Sequence, residues 1–354
     1  MTNIKALIER VKENELIATR FQKVESRILS VLNFKDFFEI LLTEIMDTFK
    51  MPYVWITLIE DCEATKVILK SSNGSDIVQE RVNIISDALF TGLVGSSLAP
   101  ILVNEELKPY YKMLPENRKY FIKSMAIAPI TLDGKIIGSL NQGDSDKGRF
   151  DPGFDASLLE QLAIKVSLCL SNVTAHEKLK FLAFHDPLTE LLNRRVMESV
   201  LKREFYRSKR YSSKLSVIFI DLDDFKSVND NQGHEAGDYL LRYVADKLVD
   251  MTRETDIVAR FAGDEFVVIL PETGVKKANR LLGRIQKYFI QNPMDYMGNK
   301  IPVSISFGAA STQDETIINP AILLQKADQI LYKVKKASKD DVKQGKNGLR
   351  LAGD

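Results

Sequence analysis

The stretch Phe261-Ala262-Gly263-Asp264-Glu265-Phe266 decides how this chain is read. It sits between two strand-like runs, Ile257 to Phe261 and Phe266 to Leu270, so Ala262-Gly263-Asp264-Glu265 reads as the turn of a β-hairpin. Gly263 permits close backbone approach to a ligand phosphate, and Asp264 projects a carboxylate at the same point. Upstream, Leu215 to Ile220 reads Leu-Ser-Val-Ile-Phe-Ile, a buried strand by composition that runs directly into Asp221-Leu222-Asp223. A carboxylate at the end of a core strand can hold a hard cation. Mg²⁺ usually takes one or two protein carboxylates and leaves its other positions to water and phosphate. Asp221 and the hairpin Asp264 are the candidate pair. Alone, a Gly-Asp-Glu turn between apolar strands is a solvated hairpin in most proteins.

Four further segments change that reading. They are Asp186-Pro187-Leu188-Thr189-Glu190-Leu191-Leu192-Asn193-Arg194-Arg195; Asp221 through Asp230, continuing to Gly233-His234-Glu235-Ala236-Gly237-Asp238; Val303-Ser304-Ile305-Ser306-Phe307-Gly308; and Ala327-Asp328-Gln329-Ile330-Leu331-Tyr332-Lys333-Val334-Lys335. In this order, over about Phe184 to Lys339, they resemble the GGDEF domain of diguanylate cyclases. The resemblance implies a palm-like domain of the nucleotidyl cyclase type, an antiparallel sheet flanked by helices. It implies Asp221 and Asp264 as ligands of Mg²⁺, or of Mn²⁺ in its place, with the Leu222 carbonyl as a further ligand and Glu265 supporting the metal or the reacting hydroxyl. Asn229 and Asp238 would read the guanine edge, since guanine offers N–H donors to a carboxylate and N3 to an amide. A helix-capping Asp238 is the plainer alternative. Phe225, Gly263, Lys335 and Lys339 would contact the rest of the nucleotide, Lys335 through phosphate. Lys339 stands where the family usually has arginine, which keeps the charge and loses the bidentate fork.

The implied reaction joins two GTP molecules. The 3′-hydroxyl of one attacks the α-phosphorus of the other, pyrophosphate leaves, and cyclic di-GMP results. Each domain would hold one GTP, so a homodimer is expected. Arg253-Glu254-Thr255-Asp256 lies at the spacing of the family's inhibitory product site, with Arg284 as a secondary arginine. An i,i+3 surface ion pair is the alternative there. Two positions depart from the pattern: Ala262 replaces the first glycine of the signature and Glu190 the usual glycine of the opening motif. Alanine disfavours positive φ, so Ala262 matters only if the backbone needs it. A catalytically weak GTP- or cyclic di-GMP-binding effector is the competing function, and a scaffolding sensor module is a third.

The 354 residues, 45% of them hydrophobic, suffice for two packed domains, giving an α+β chain overall. A net charge of +1 with 27% charged residues gives no global field for DNA or an anionic membrane. Cys62 and Cys169 have no metal-ligand spacing and read as buried thiols. No apolar run approaches the ~18 residues of a membrane span, and the amino terminus lacks a signal-peptide core. A soluble cytoplasmic protein is expected, with no DNA or membrane partner.

Residues 1–154 resemble a GAF-type sensor domain with an amino-terminal helix. Ile4, Leu7, Val11, Phe21, Val24, Ile28 and Leu32 fall at helical intervals, interrupted near Asn14. Strands are expected at Tyr53 to Leu58, Lys66 to Leu69, Ser124 to Ile130 and Lys135 to Leu140, the last after the turn Leu132-Asp133-Gly134. Tyr53 and Trp55 read as core or as pocket lining, and the ligand is an unidentified small-molecule or protein signal. Residues 155–182 carry Leu158, Leu162, Val166, Cys169, Val173 and His176 at spacings of three and four. This stripe suits a parallel coiled coil joining sensor to output, or a helix packed on the sensor sheet. The cyclase-like domain then takes 183–354.

Overall fold

Alternation along β1 (Tyr53–Ile59) sets the layering of the amino-terminal half. Val54, Ile56 and Leu58 face one core, while Tyr53, Trp55 and Ile59 face another. The computed structural model describes the backbone of residues 2–60, 62–71, 75–116 and 119–343, and their side chains except at 2–14, 63, 70, 71 and 338–343. Two units result, Met1–Leu179 and Lys180–Asp354.

In the first unit β1 is joined by β2 (Val82–Ile85), β3 (Ile101–Val103), β4 (Ser124–Leu132) and β5 (Lys135–Asp144) in the order β2-β1-β5-β4-β3. The β1–β2 pair is parallel and the rest antiparallel. Asp133 and Gly134 make the β4–β5 turn with φ of 51° and 78°, the positive values that tight hairpins use. One face of the sheet is covered by α1 (Thr2–Ile28), α2 (Phe34–Phe49), α3 (Glu63–Ser71) and α4 (Asp76–Arg81); α5 (Asp87–Val94) packs on the other. The helix α6 (Ser157–Phe184) also joins the first core.

Two readings of this half change and two are decided between their alternatives. Helix α1 runs through Asn14 without a break, since asparagine costs a helix interior well under 1 kcal/mol. The run Lys66 to Leu69 is helical, not a strand: Thr65 and Ile68 are buried and Lys66, Val67 and Leu69 exposed, a spacing of three that four residues could not reveal. Trp55 is fully buried core, with its indole N–H donating to the Met113 carbonyl at 2.8 Å. Along α6, Leu162, Val166, Cys169 and Val173 are buried in this unit's own core, so the stripe that suggested a coiled coil packs inward. Ile164, Leu168, Leu179, Leu182 and Phe184 are the exposed large apolar positions. His176 is exposed, with Nδ1 2.9 Å from the Leu32 carbonyl.

The second unit is built on β6 (Leu215–Leu222), all of whose residues are buried. With β7 (Ile257–Ala262), β8 (Glu265–Pro271) and β11 (Ile305–Ser311) it forms an antiparallel sheet ordered β11-β6-β8-β7; β9 (Met294–Tyr296) and β10 (Asn299–Ile301) make a separate hairpin. Ile218, Ile220 and Leu222 face α9 (His234–Met251) and α10 (Val275–Gln291), while Leu215, Val217 and Phe219 face α7 (Arg194–Arg210) and α11 (Pro320–Lys343). Period-two alternation therefore carries Asp221 to the α7/α11 face. The remaining helix, α8 (Phe225–Gln232), follows β6 directly.

Ahead of α7 the chain turns through Asp186 to Leu192, and Glu190 sits there at φ 57°. This is the left-handed region in which an L side chain is strained. Glu190→Gly is expected to raise the unfolding free energy by about 0.5–1 kcal/mol in urea denaturation, even though the side chain has contacts to lose. A net loss of stability would mean those contacts outweigh the backbone strain.

Candidate active site

Asp221 pairs across the sheet with Glu265 on one side and Ser306 on the other. Directly opposed residues project to the same face, so Asp221 and Glu265 share the α11 side. Ala262 pairs with Glu265, leaving Gly263-Asp264 as a two-residue loop. The loop is pinned at both residues. The Leu222 N–H donates to the Asp264 carbonyl at 3.2 Å, and the Gly263 carbonyl accepts from Arg260 Nε and Nη2 at 2.9 and 2.8 Å. Gly263 has φ +49°, whereas Ala262 ends β7 outside the left-handed region. The glycine that the signature loses is thus not the one whose conformation the loop requires.

From α11, Lys335 reaches Asp221 Oδ1 in an ion pair. It stands one turn beyond Leu331, which is buried against the sheet. Asp221 is 8% exposed, and its Oδ1 lacks a hydrogen bond of ordinary geometry. Burial pushes the Asp221 carboxyl up, with the charges of Asp264 and Asp223 adding to it and Lys335 opposing. Burial likewise raises Glu265, reinforced by Asp221, Asp264 and Asp328. Asp223 is engaged elsewhere: Ser304 and Ser306 hydroxyls donate to its two oxygens at 2.7 and 2.6 Å. Such a carboxylate surplus around an unsatisfied buried oxygen suits a divalent cation. Among the described residues no three His, Cys, Asp or Glu side chains form a group that could by itself hold a metal ion.

Asn229 on α8 and Asp238 on α9 come together through Gly237. A Cβ at Gly237 would lie 1.9 Å from Asn229 Oδ1 and 3.3 Å from Phe225 Cζ. Asn229 is half-buried and Asp238 exposed, and neither side chain has a hydrogen-bond partner among the described residues. Asp238 is the fifth residue of α9, with Gly233 at the cap position, so the capping alternative does not apply. Lys339 falls within α11, but its side chain lies outside the described residues.

Sequence reasoning missed the strut that holds the hairpin. Besides gripping Gly263, Arg260 donates through Nη1 to Asp186 Oδ1 at 2.9 Å, and the Thr189 amide and hydroxyl donate to the same oxygen. Burial would raise the Asp186 carboxyl; these hydrogen bonds and the Arg260 charge outweigh it and hold it below the usual aspartate range. Arginine three residues before Gly263 was the available signal.

At Arg253-Glu254-Thr255-Asp256 the Asp256 carboxylate accepts from the Arg253 amide at 3.0 Å, and the Arg253 guanidinium forms no ion pair with it. A cleft of about 400 Å³ is lined there by Arg253, Asp256 and Arg284 together with Lys277 and Arg280. Arg284 donates to the Met251 carbonyl at 2.9 Å. Lys277 and Arg280 were not anticipated, although with Arg284 they recur at three and four residues along α10.

Residues 183–341 match the protein family described as diguanylate cyclase, GGDEF domain. The chain is 37% identical over 158 residues to the diguanylate cyclase DgcP of Pseudomonas aeruginosa, covering 45% of this chain and 23% of that protein. To diguanylate cyclase DosC of Escherichia coli it is 36% identical over 168 residues, 46% of this chain and 35% of the relative. The chain thus spans 23% and 35% of the length of these curated relatives. Among solved structures, the GGDEF domain of PA1120 (TpbB or YfiN) from Pseudomonas aeruginosa shares 37% identity, with 43% of this chain and 89% of that one covered and a TM-score of 0.41. An antiparallel sheet between helical layers, with carboxylates gathered at one end, is the architecture of palm-like nucleotidyl cyclase domains. Residues 183–341 are a GGDEF domain. No helix among the described residues is long and apolar enough to cross a membrane.

Two outcomes follow from this geometry. Folding raises the Glu265 carboxyl, so the folded state binds more protons than the unfolded one, and this stabilisation is lost as pH rises through the folded value. Relative to the metal-free native protein, Glu265→Gln is expected to gain stability progressively as pH climbs from the ordinary glutamate value of 4.5. Urea titrations with a pH-independent difference would contradict this. If Asn229 takes a guanine edge, Gly237→Ala, which displaces it, is expected to weaken nucleotide binding about tenfold, the equivalent of an amide contact of ~1.5 kcal/mol. Calorimetry with GTP checks it.

Proposed function

We propose that this protein is a diguanylate cyclase that condenses two GTP molecules into cyclic di-GMP and pyrophosphate across a homodimer. The observation that carries the reading is the convergence of Asp221, Glu265 and the Gly263-Asp264 loop at one end of the sheet, with Lys335 on the same carboxylate.

In this reading Asp221, Asp264 and the Leu222 carbonyl hold Mg²⁺, for which Mn²⁺ can substitute, and Glu265 supports them. When bound, the cation supplies positive charge where the phosphate oxygens gain negative charge. Asn229 and Asp238 hold the guanine by its polar edge, and neither side chain has a hydrogen-bond partner among the described residues, which leaves both available. Lys335 contacts the triphosphate, Phe225 buttresses α8 beside Gly237, and the Gly263 backbone closes against phosphate. Since Ala262 needs no positive φ, its presence gives no reason to prefer the weakly catalytic effector.

Residues 1–154 are the sensor in this scheme, 155–182 the connecting helix and 183–354 the cyclase. The open cleft of about 740 Å³ lined by Tyr111, Leu114, Tyr120, Phe121 and Lys123 is where a small-molecule signal would enter the first unit. Ile164, Leu168, Leu179 and Leu182, exposed along α6, offer the second copy its contact. The cationic cleft of Arg253, Asp256 and Arg284 is the place for inhibitory product.

Purified protein given GTP and Mg²⁺ is expected to form cyclic di-GMP, resolved by chromatography. Asp264→Ala is expected to lower turnover by about 100-fold or more, the usual scale for losing a group that stabilises transition-state charge. GTP binding without product under all sensor conditions would move the assignment to the binding effector.

A further inference from the structure

We propose that in the nucleotide-free protein the Lys335 ammonium stands in for the divalent cation at Asp221, so that metal and triphosphate bind cooperatively by moving this lysine from carboxylate to phosphate. The identity of the triphosphate rests on the cyclase reading above; the occupation of Asp221 by an ammonium does not.

The ion pair is with Oδ1, the buried oxygen that lacks an ordinary hydrogen bond. The same ammonium opposes the charge of Glu265 as well as that of Asp221. Other nearby groups are committed. Arg260 spends its guanidinium on Asp186 and Gly263, and the Asp223 carboxylate is taken by Ser304 and Ser306. Among the described residues, Lys335 is the cation whose charge acts on both Asp221 and Glu265. A dication approaching Asp221 meets a like charge on the same oxygen, and its affinity for the site is low as long as Lys335 stays. The lysine cannot simply leave, because that strands a buried carboxylate.

A triphosphate resolves the conflict. The Lys335 side chain is 32% exposed on a flexible four-carbon stem, so it can turn outward to a phosphate oxygen while Asp221 passes to the metal. Each ligand then removes the obstacle to the other. By linkage the factor is reciprocal: whatever the triphosphate does for metal affinity, the metal does for the triphosphate. No proton or bond is exchanged, only the partner of one ammonium group.

Mn²⁺ binding to the full chain, followed by electron paramagnetic resonance without nucleotide, tests this. Lys335→Met keeps the apolar stem and removes the charge; it is expected to bind Mn²⁺ at least tenfold tighter than the native protein. Lys335→Arg, which retains the charge, is expected to stay weak. Adding a non-cyclising α,β-methylene GTP analogue is expected to tighten Mn²⁺ binding at least tenfold in the native protein and less than threefold in Lys335→Met. Equal or weaker Mn²⁺ binding by Lys335→Met, with native circular dichroism and with Asp221→Asn as the non-binding reference, overturns the proposal. So does an equal response of both proteins to the analogue. Native protein that makes cyclic di-GMP while Lys335→Met shows no gain removes the exchange alone. The gain in Mn²⁺ affinity without cyclic di-GMP synthesis leaves the exchange and removes the cyclase reading.

Discussion

Asp221 stands one residue from the end of a strand that is buried along its whole length, and an ionised carboxylate in such a place must be met by a cation or it destabilises the fold. Much of the GGDEF unit follows from that constraint. The strand can be buried on both faces only because α9 and α10 cover one side and α7 and α11 the other. Alternation then leaves Asp221 on the α11 face, where Ala327 and Leu331 seat the helix and Lys335 follows one turn later. Pairing with β8 sets Glu265 beside it, and the tight loop adds Asp264. The packing thereby concentrates negative charge that the described side chains do not fully balance, a stability deficit that a cation would offset.

That charge would serve no purpose on a mobile loop. A Gly-Asp loop in water samples many conformations, but here both of its carbonyls are tied, one to Leu222 and the other to the fork of Arg260. Arg260 is itself oriented by Asp186, whose carboxylate oxygen also takes both donors of Thr189. Three segments distant in sequence are thus joined by hydrogen bonds around the hairpin. The planar guanidinium suits this bridging because it offers donors in two directions at once, which a lysine at the same place could not do.

The residues that could be read from sequence were those whose chemistry is local. A run of apolar β-formers ending in Asp221, and an apolar hairpin with Gly263 at its turn, announce themselves by composition. The strands β6, β7, β8 and β11 and the helix α11 emerged at the expected segments. What could not be read were partners set by tertiary register: Arg260 with Asp186, Ser304 and Ser306 with Asp223, and Lys277 and Arg280 beside Arg253. In the first unit the failures were of period. Four residues from Lys66 to Leu69 are too few to distinguish strand from helix. The α6 stripe gave the right helix but could not say which body it would pack against, and Leu162, Val166, Cys169 and Val173 went to the unit's own core.

The two glycines missing from the family pattern have different physical meanings, and backbone angles separate them. At the hairpin the left-handed conformation belongs to Gly263, which is present, while Ala262 completes a strand as any residue can. At the opening turn Glu190 occupies the left-handed region itself. Its amide donates to the Asp186 carbonyl and its carbonyl approaches His185 Nδ1 at 2.9 Å, so the turn keeps its hydrogen bonds despite the strain. The strain thus falls on the segment that supports Arg260 from behind, one residue beyond Thr189, and not on the loop beside the carboxylates. A cost at that point is drawn from the stability of the unit, while the geometry of Gly263 and Asp264, fixed by the Arg260 fork and by Leu222, is left as the chemistry needs it.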